Sequence, residues 1–148
     1  MDLDSFFDDL RRRVLGRPVT FRRLAANTLL IYIDNEPGDG TGVTFWINPV
    51  WHVREPGQVL AGSRQAQVDD EEEFYRLGER LDVLLGLTVQ DVTIEPGTFD
   101  LTLALSGGYL VKTFVAQAAR DESWHIRDNT TGSRLSGSPQ GLRIVSHG

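Results

Sequence analysis

The chain contains itself twice, and a duplicated unit restricts what it can fold into more tightly than composition does. Residues 51–55 read WHVRE and residues 124–128 read WHIRD. AGSRQ at 61–65 answers SGSPQ at 136–140, and VLGRPV at 14–19 answers LLGLTV at 84–89. The spacing between matched residues barely changes along the chain, so only small insertions separate the copies. Duplication speaks to architecture and says little about chemistry.

Each copy begins with a helical pattern. In the first, Asp4 is placed to cap a segment carrying Phe6, Phe7, Leu10 and Val14 at helical spacing, and Gly16 and Pro18 stop it. In the second, Asp70 and Glu73 form a capping-box-like pair ahead of Phe74, Leu77, Leu81, Leu84 and Leu85, and Gly86 ends the helix. The acidic run Asp69, Asp70, Glu71, Glu72 and Glu73 suits the positive end of that helix dipole.

After each helix the period changes to two. Val19, Phe21, Leu29, Ile31 and Ile33 alternate in the first copy, and Val89, Phe99, Leu101 and Leu103 in the second. Asn27 aligns with Gly97 at a turn, both residue types that tolerate positive φ. A third strand follows in each copy, through Val43, Phe45 and Ile47 and through Tyr109 to Val115. The WHVR and WHIR strands come next, with Trp and Val or Ile on one face and His and Arg on the other. Turns at Pro56-Gly57 and at 128–132 lead into short strands at Val59-Leu60 and Arg134-Leu135, and Leu142 to Val145 adds a last edge strand.

These patterns predict an α+β fold, an internally duplicated helix-plus-antiparallel-sheet unit with pseudo-twofold symmetry. Residues 1–148 form one domain made of two repeats, about 4–66 and 70–146, since no Pro-, Gly- or Ser-rich linker parts them. The sheets either join edge to edge or pack face to face.

Charge and composition narrow the partners. Fifteen basic residues against 21 acidic ones give a net charge of −6, and the excess lies in the second half. That balance disfavours nucleic acid and suits a basic partner surface. With no cysteine there is no disulfide, thiol nucleophile or thiolate metal site. The longest apolar stretch, TLLIYI at 28–33, is far too short for a membrane span. The acidic MDLDSFFDDL start lacks a secretory signal, so the expectation is a cytoplasmic protein with no membrane partner.

Chemistry-bearing motifs are sparse. No GxSxG elbow is present, and PGDGTG at 37–42 lacks the phosphate-loop Lys, so it is expected to be a hairpin loop. No catalytic residue, cofactor or metal site is expected. His52 and His125 occupy matching positions, but alternation puts them on the solvent face beside Glu55 and Asp128, and no HxH or HExxH spacing accompanies them. His147 falls in the terminal tail.

The copies disagree at one place. Leu30 and Tyr32 face away from the core, and their counterparts are assigned as Asp100 and Thr102; Trp46 corresponds to Lys112. The first copy thus carries a greasy outer face where the second carries a wet one. Such a patch calls for a cover. The helix spanning 70–85 is the expected one, with a partner or ligand as the competing expectation.

The run Leu84-Leu85-Gly86 with Val89, then Asp100-Leu101-Thr102-Leu103, Gly107-Gly108 and Glu122-Ser123-Trp124 resembles a family of small uncharacterised bacterial two-repeat α+β proteins. The match spans most of residues 14–137, and the N-terminal helix with Phe6 and Phe7 lies outside it. Several members of that group look like immunity proteins, which neutralise toxins by binding them. The resemblance implies a non-enzymatic, protein-binding role by steric blocking. The acids at Asp69–Glu73 would steer a basic surface, and Leu30, Tyr32 and Trp46 would supply buried area. Two other expectations stand beside it. One is a small-ligand-binding or enzymatic domain with its pocket near Tyr32 and Trp46. The other is a homodimer that buries the same face against its own copy.

Overall fold

The computed structural model describes residues 2–35, 38, 40–67, 69–114 and 122–146. The element order is α1 (Leu3–Val14), β1 (Val19–Ala25), β2 (Thr28–Ile33), β3 (Val43–Ile47), β4 (Trp51–Glu55) and β5 (Gln58–Gly62), then α2 (Glu71–Leu81) and β6 (Val89–Ile94). β7 (Leu101–Leu105), β8 (Tyr109–Thr113), β9 (Trp124–Asp128), β10 (Arg134–Ser138) and β11 (Gly141–Val145) complete it. The fold is α+β with two antiparallel sheets. Val115 and His147 lie outside the described residues.

The sheets do not follow the halves of the sequence. One sheet has six strands in the order β1-β2-β3-β9-β10-β11, and the other has five in the order β5-β4-β8-β7-β6. Each therefore draws strands from both halves, which corrects the expectation of one self-contained sheet per repeat. The joins follow the same rule on each side. β3 meets β9 with Phe45 opposite Ile126 and Trp46 opposite His125. β8 meets β4 with Val111 opposite Val53 and Lys112 opposite His52.

The sheets pack face to face. A single buried cluster holds Leu29, Ile31, Ile33, Phe45, Ile126 and Leu135 from one sheet together with Val53, Val92, Leu101, Leu103 and Val111 from the other. The period-two pattern of the sequence is what sends these side chains inward. Trp51 and Trp124 are both buried in that core. Each indole N–H donates at 2.8 Å to a turn carbonyl, Trp51 to Asn27 and Trp124 to Phe99, so burial leaves neither donor unsatisfied. Gly137, opposite Trp124 on β10, is required by this packing. A Cβ there would lie 2.2 Å from the indole ring.

The helices bridge sheet edges. α1 buries Leu10 and Val14 and contacts β6, β10 and β11, while α2 buries Leu77 and Leu81 and contacts β1 and β5. Both helix ends run into a glycine of positive φ, 77° at Gly16 and 86° at Gly86, a conformation that lets the chain reverse without Cβ strain. The two reversals interlock. Gly16 N–H donates to Val89 O and Gly86 N–H to Val19 O, both at 2.8 Å, while Val89 N–H and Val19 N–H donate back to Arg17 O and Leu87 O.

Several local expectations are corrected. Asp2, not Asp4, caps α1 by accepting from the Ser5 amide at 2.7 Å. Asp70 caps α2 through the Glu72 amide, and the α-helix stops at Leu81, followed by a 3-10 turn over Asp82–Leu84. The β1–β2 turn takes its positive φ at Ala26 (52°), while Gly97 (90°) behaves as expected. Register also moves the counterparts of the greasy residues. Leu30 lies opposite Trp46 as Thr102 lies opposite Lys112, so Leu30 matches Thr102 and Tyr32 matches Ala104, not Asp100 and Thr102. Finally, α2 does not cover the patch, because it packs against β1 and β5 at the sandwich edge.

Candidate functional site

The outer face of the six-stranded sheet carries a cleft of about 580 Å³. Alternation along β2 and β3 turns Leu30, Tyr32, Thr44 and Trp46 outward because their neighbours Leu29, Ile31, Phe45 and Ile47 fill the core. Cross-strand pairing then sets Leu30 beside Trp46 and Tyr32 beside Thr44. Phe21 on β1 meets Tyr32 edge to face, with ring centroids 5.5 Å apart. Leu30 and Tyr32 are almost wholly buried in this wall, whereas Trp46 is 37% exposed.

The opposite wall comes from the second half of the chain. His125 on β9 stacks on Trp46 at 5.4 Å with an interplanar angle of 17°. It is 8% exposed, which overturns its placement on a solvent face. Its ring is hydrogen-bonded to Glu122 through Nδ1, and Ser136 Oγ donates to the other Glu122 oxygen at 2.6 Å. Burial by itself would raise the Glu122 carboxyl, but the hydrogen bonds from His125 and Ser136 outweigh it and hold the group below the usual carboxylate range. Asn48 braces the same corner, accepting from Trp46 Nε1 at 3.2 Å and donating to Glu122 O at 3.1 Å.

Arg127 and Arg134 complete the lining and face each other directly across β9 and β10. Like charges in that relation oppose pairing. Arg134 approaches Glu122 at 3.7 Å, yet its buried Nε has no hydrogen-bond partner. At the far end Asn35 is also buried with Oδ1 unpartnered, while Asn129 Nδ2 donates to Thr41 O and Thr44 Oγ1. Among the described residues the arrangement offers an aromatic shelf, two guanidiniums, one carboxylate and an amide acceptor.

Of the residues singled out by sequence, Leu30, Tyr32 and Trp46 are brought together in this cleft. The acids Asp69, Asp70, Glu71, Glu72 and Glu73 are not, since they sit at the exposed start of α2. Glu72 pairs with Arg76 one turn on, at 2.7 Å. Asp128, expected beside His125, points the other way and takes a two-pronged contact from Arg13 of α1 at 2.9 and 3.1 Å. Sequence reasoning missed His125, Glu122, Arg127 and Arg134 as neighbours of Trp46. Alternation did turn His125 and Arg127 outward, but only the β3–β9 pairing reveals what they face.

His52, the matching histidine, lies on the outer face of the other sheet and meets Phe114 edge to face at 4.8 Å. Burial, with Arg54 and Lys112 nearby, lowers its basicity. The two histidines thus lie on opposite outer faces of the sandwich, and among the described residues no group of three His, Asp or Glu could hold a metal ion. Among the same residues no helix is long and apolar enough to cross a membrane. Comparison of the chain with protein-family models, with curated proteins and with solved structures returns no match.

Proposed function

We propose that this chain is a binding protein and that its binding site is the cleft on the outer face of the six-stranded sheet. One observation carries the reading: Trp46 stands partly exposed above a wall of Leu30, Tyr32 and His125, beside the facing pair Arg127 and Arg134. Shelf and polar groups converge in a volume suited to a small organic ligand or a side chain of a larger one. The test is a thermal-shift screen of small molecules on the wild-type chain and on Trp46→Ala. A ligand at 100-fold its Kd stabilises by about 2.7 kcal/mol and raises Tm by several degrees. Hits that shift both proteins equally would refute the cleft as the site.

A second reading is favoured by the surface of α2, where Glu71, Glu72 and Glu73 are exposed and Tyr75 is 68% exposed beside them. In that reading the chain is a cytoplasmic immunity protein of the kind it resembles, and α2 steers and anchors a basic toxin surface. Rescue of cells expressing a toxin encoded beside this gene, lost in a Tyr75→Ala variant with Glu71–Glu73 changed to Gln, is the expected result. Survival unaffected by those changes would count against it. Under either reading the halves are treated as copies related by a pseudo-twofold axis. The matched strand joins and the reciprocal Gly16–Val89 and Gly86–Val19 hydrogen bonds support that view.

A further inference from the structure

We infer that the cleft takes an organic anion with a flat apolar body, the aromatic part lying against Trp46 and the anionic group on Arg127 and Arg134. The inference rests on the cleft being a binding site and adds the chemical class of what enters it.

Charge is the first ground. The chain carries a net charge of −6, yet the β9–β11 part of this face presents Arg127, Arg134 and Arg143, with Glu122 as the acid among the described residues there. Ion pairs engage Arg11, Arg13, Arg17, Arg22 and Arg76 elsewhere in the molecule. Among the described residues Arg127 has no such partner. Arg134 has Glu122 at a long 3.7 Å, and that carboxylate is already engaged by His125 and Ser136. Setting two guanidiniums opposite each other is unfavourable in the empty site and becomes favourable when both donate to one anion.

Geometry is the second ground. Arg127 is two residues beyond His125 on the same face of β9, about 7 Å along the strand. His125 is the residue stacked on Trp46. Arg127 lies opposite Thr44, two residues from Trp46 on β3, so a ligand lying against the exposed part of the indole would reach the guanidinium pair with a substituent at its rim, over the length of one or two fused rings. The Arg134 side chain is 39% exposed although its Nε is buried near Glu122, so its outer guanidinium N–H groups are the ones open to such an anion. A cation would meet the two arginines instead, and a neutral ligand would leave them uncompensated.

The experiment titrates the full chain with 1-naphthoate, 1-naphthamide and 1-naphthylmethylammonium. It follows the three indole N–H signals by NMR, those of the buried Trp51 and Trp124 serving as internal controls for the fold. The naphthoate is expected to shift the Trp46 signal and to bind at least tenfold more tightly than the amide, with no response to the ammonium. Raising the salt concentration should weaken the naphthoate and leave the amide unchanged. Arg127→Gln with Arg134→Gln should erase the preference while keeping amide binding and the Trp51 and Trp124 signals. Equal affinity for naphthoate and amide, insensitive to salt, would overturn the anion assignment and leave the cleft a binding site. A Trp46 signal that none of the three probes moves would overturn the cleft reading itself.

Discussion

The two outer faces of the sandwich are built on strand registers that match at the β3–β9 and β4–β8 joins and depart at the β4–β5 bulge, and they carry different surfaces. Where the six-stranded sheet shows Leu30, Tyr32, Trp46 and Arg134, the five-stranded sheet shows Thr102, Ala104, Lys112 and Val59 at the corresponding places. The inner faces agree closely, with Trp, Val or Ile, and Leu facing the same way on both sides. Inward positions answer to packing, which penalises any change of volume. Outward positions are free of that demand, so the near-complete burial of Leu30 and Tyr32 beside paired arginines, where the other face has Thr102 and Ala104, points to use.

The most damaging way to break the comparison is from inside. Gly137→Ala places a methyl group against the Trp124 ring and is expected to cost about 3 kcal/mol, read by urea unfolding. Gly62→Ala on β5 meets nothing nearer than Trp51 O at 3.6 Å and should stay within about 1 kcal/mol. Equal losses would show that the two hairpins are packed alike after all.

Transplanting the wet surface onto the greasy face comes next. Leu30→Thr with Trp46→Lys should abolish naphthoate binding and cost about 2 kcal/mol, mostly through the buried Leu30. The reverse exchange, Thr102→Leu with Lys112→Trp, should leave stability within about 1 kcal/mol. It should not create binding, because β5 offers Val59 opposite Arg54 where β10 offers Arg134 opposite Arg127. Naphthoate binding to that variant would mean that the aromatic shelf suffices.

Asp128 and Glu55 are matched in sequence and differ in partner. Burial pushes the Asp128 carboxyl up, but the Arg13 guanidinium and the Thr130 amide bring it below its ordinary value. A carboxyl depressed in the folded state contributes stability that is fully present above its unfolded value, about pH 4. That contribution is lost as pH falls from there through the lower folded value. Asp128→Asn should cost about 2 kcal/mol at neutral pH and flatten the acid side of a stability–pH curve. Glu55, whose carboxylate accepts from Gln58 among the described residues, should give less than about 0.5 kcal/mol as Glu55→Gln. A curve unchanged by Asp128→Asn would show that Arg13 contributes nothing there.

Much of the local structure was legible because it is written in periodicity: the helices with Leu10 and Val14 or Leu77 and Leu81, the inward Trp51 and Trp124, and the hairpins at 56–57 and 128–132. The misassigned counterparts of Leu30 and Tyr32 have a simple cause. A period-two pattern looks the same after a slip of two residues, so Leu101 and Leu103 fit in either register until pairing decides. Strand exchange was illegible for a deeper reason. Hairpin partners are set by neighbouring residues, but the pairing of Val43–Ile47 with Trp124–Asp128 joins segments far apart in the chain. Every neighbour of Trp46 on β9 depended on that one long-range choice.

That exchange of strands also governs how the chain can be cut. Residues 2–66 alone would leave β3 and β4 without the neighbours they have in β9 and β8, two raw sheet edges open to any passing strand. Residues 69–146 alone would leave the complementary pair. Each fragment therefore lacks what the other holds, and neither is expected to be soluble by itself. Co-expressed, they should zip together into the native sandwich, which makes the loop before α2 a natural position for dividing the protein into a split reporter.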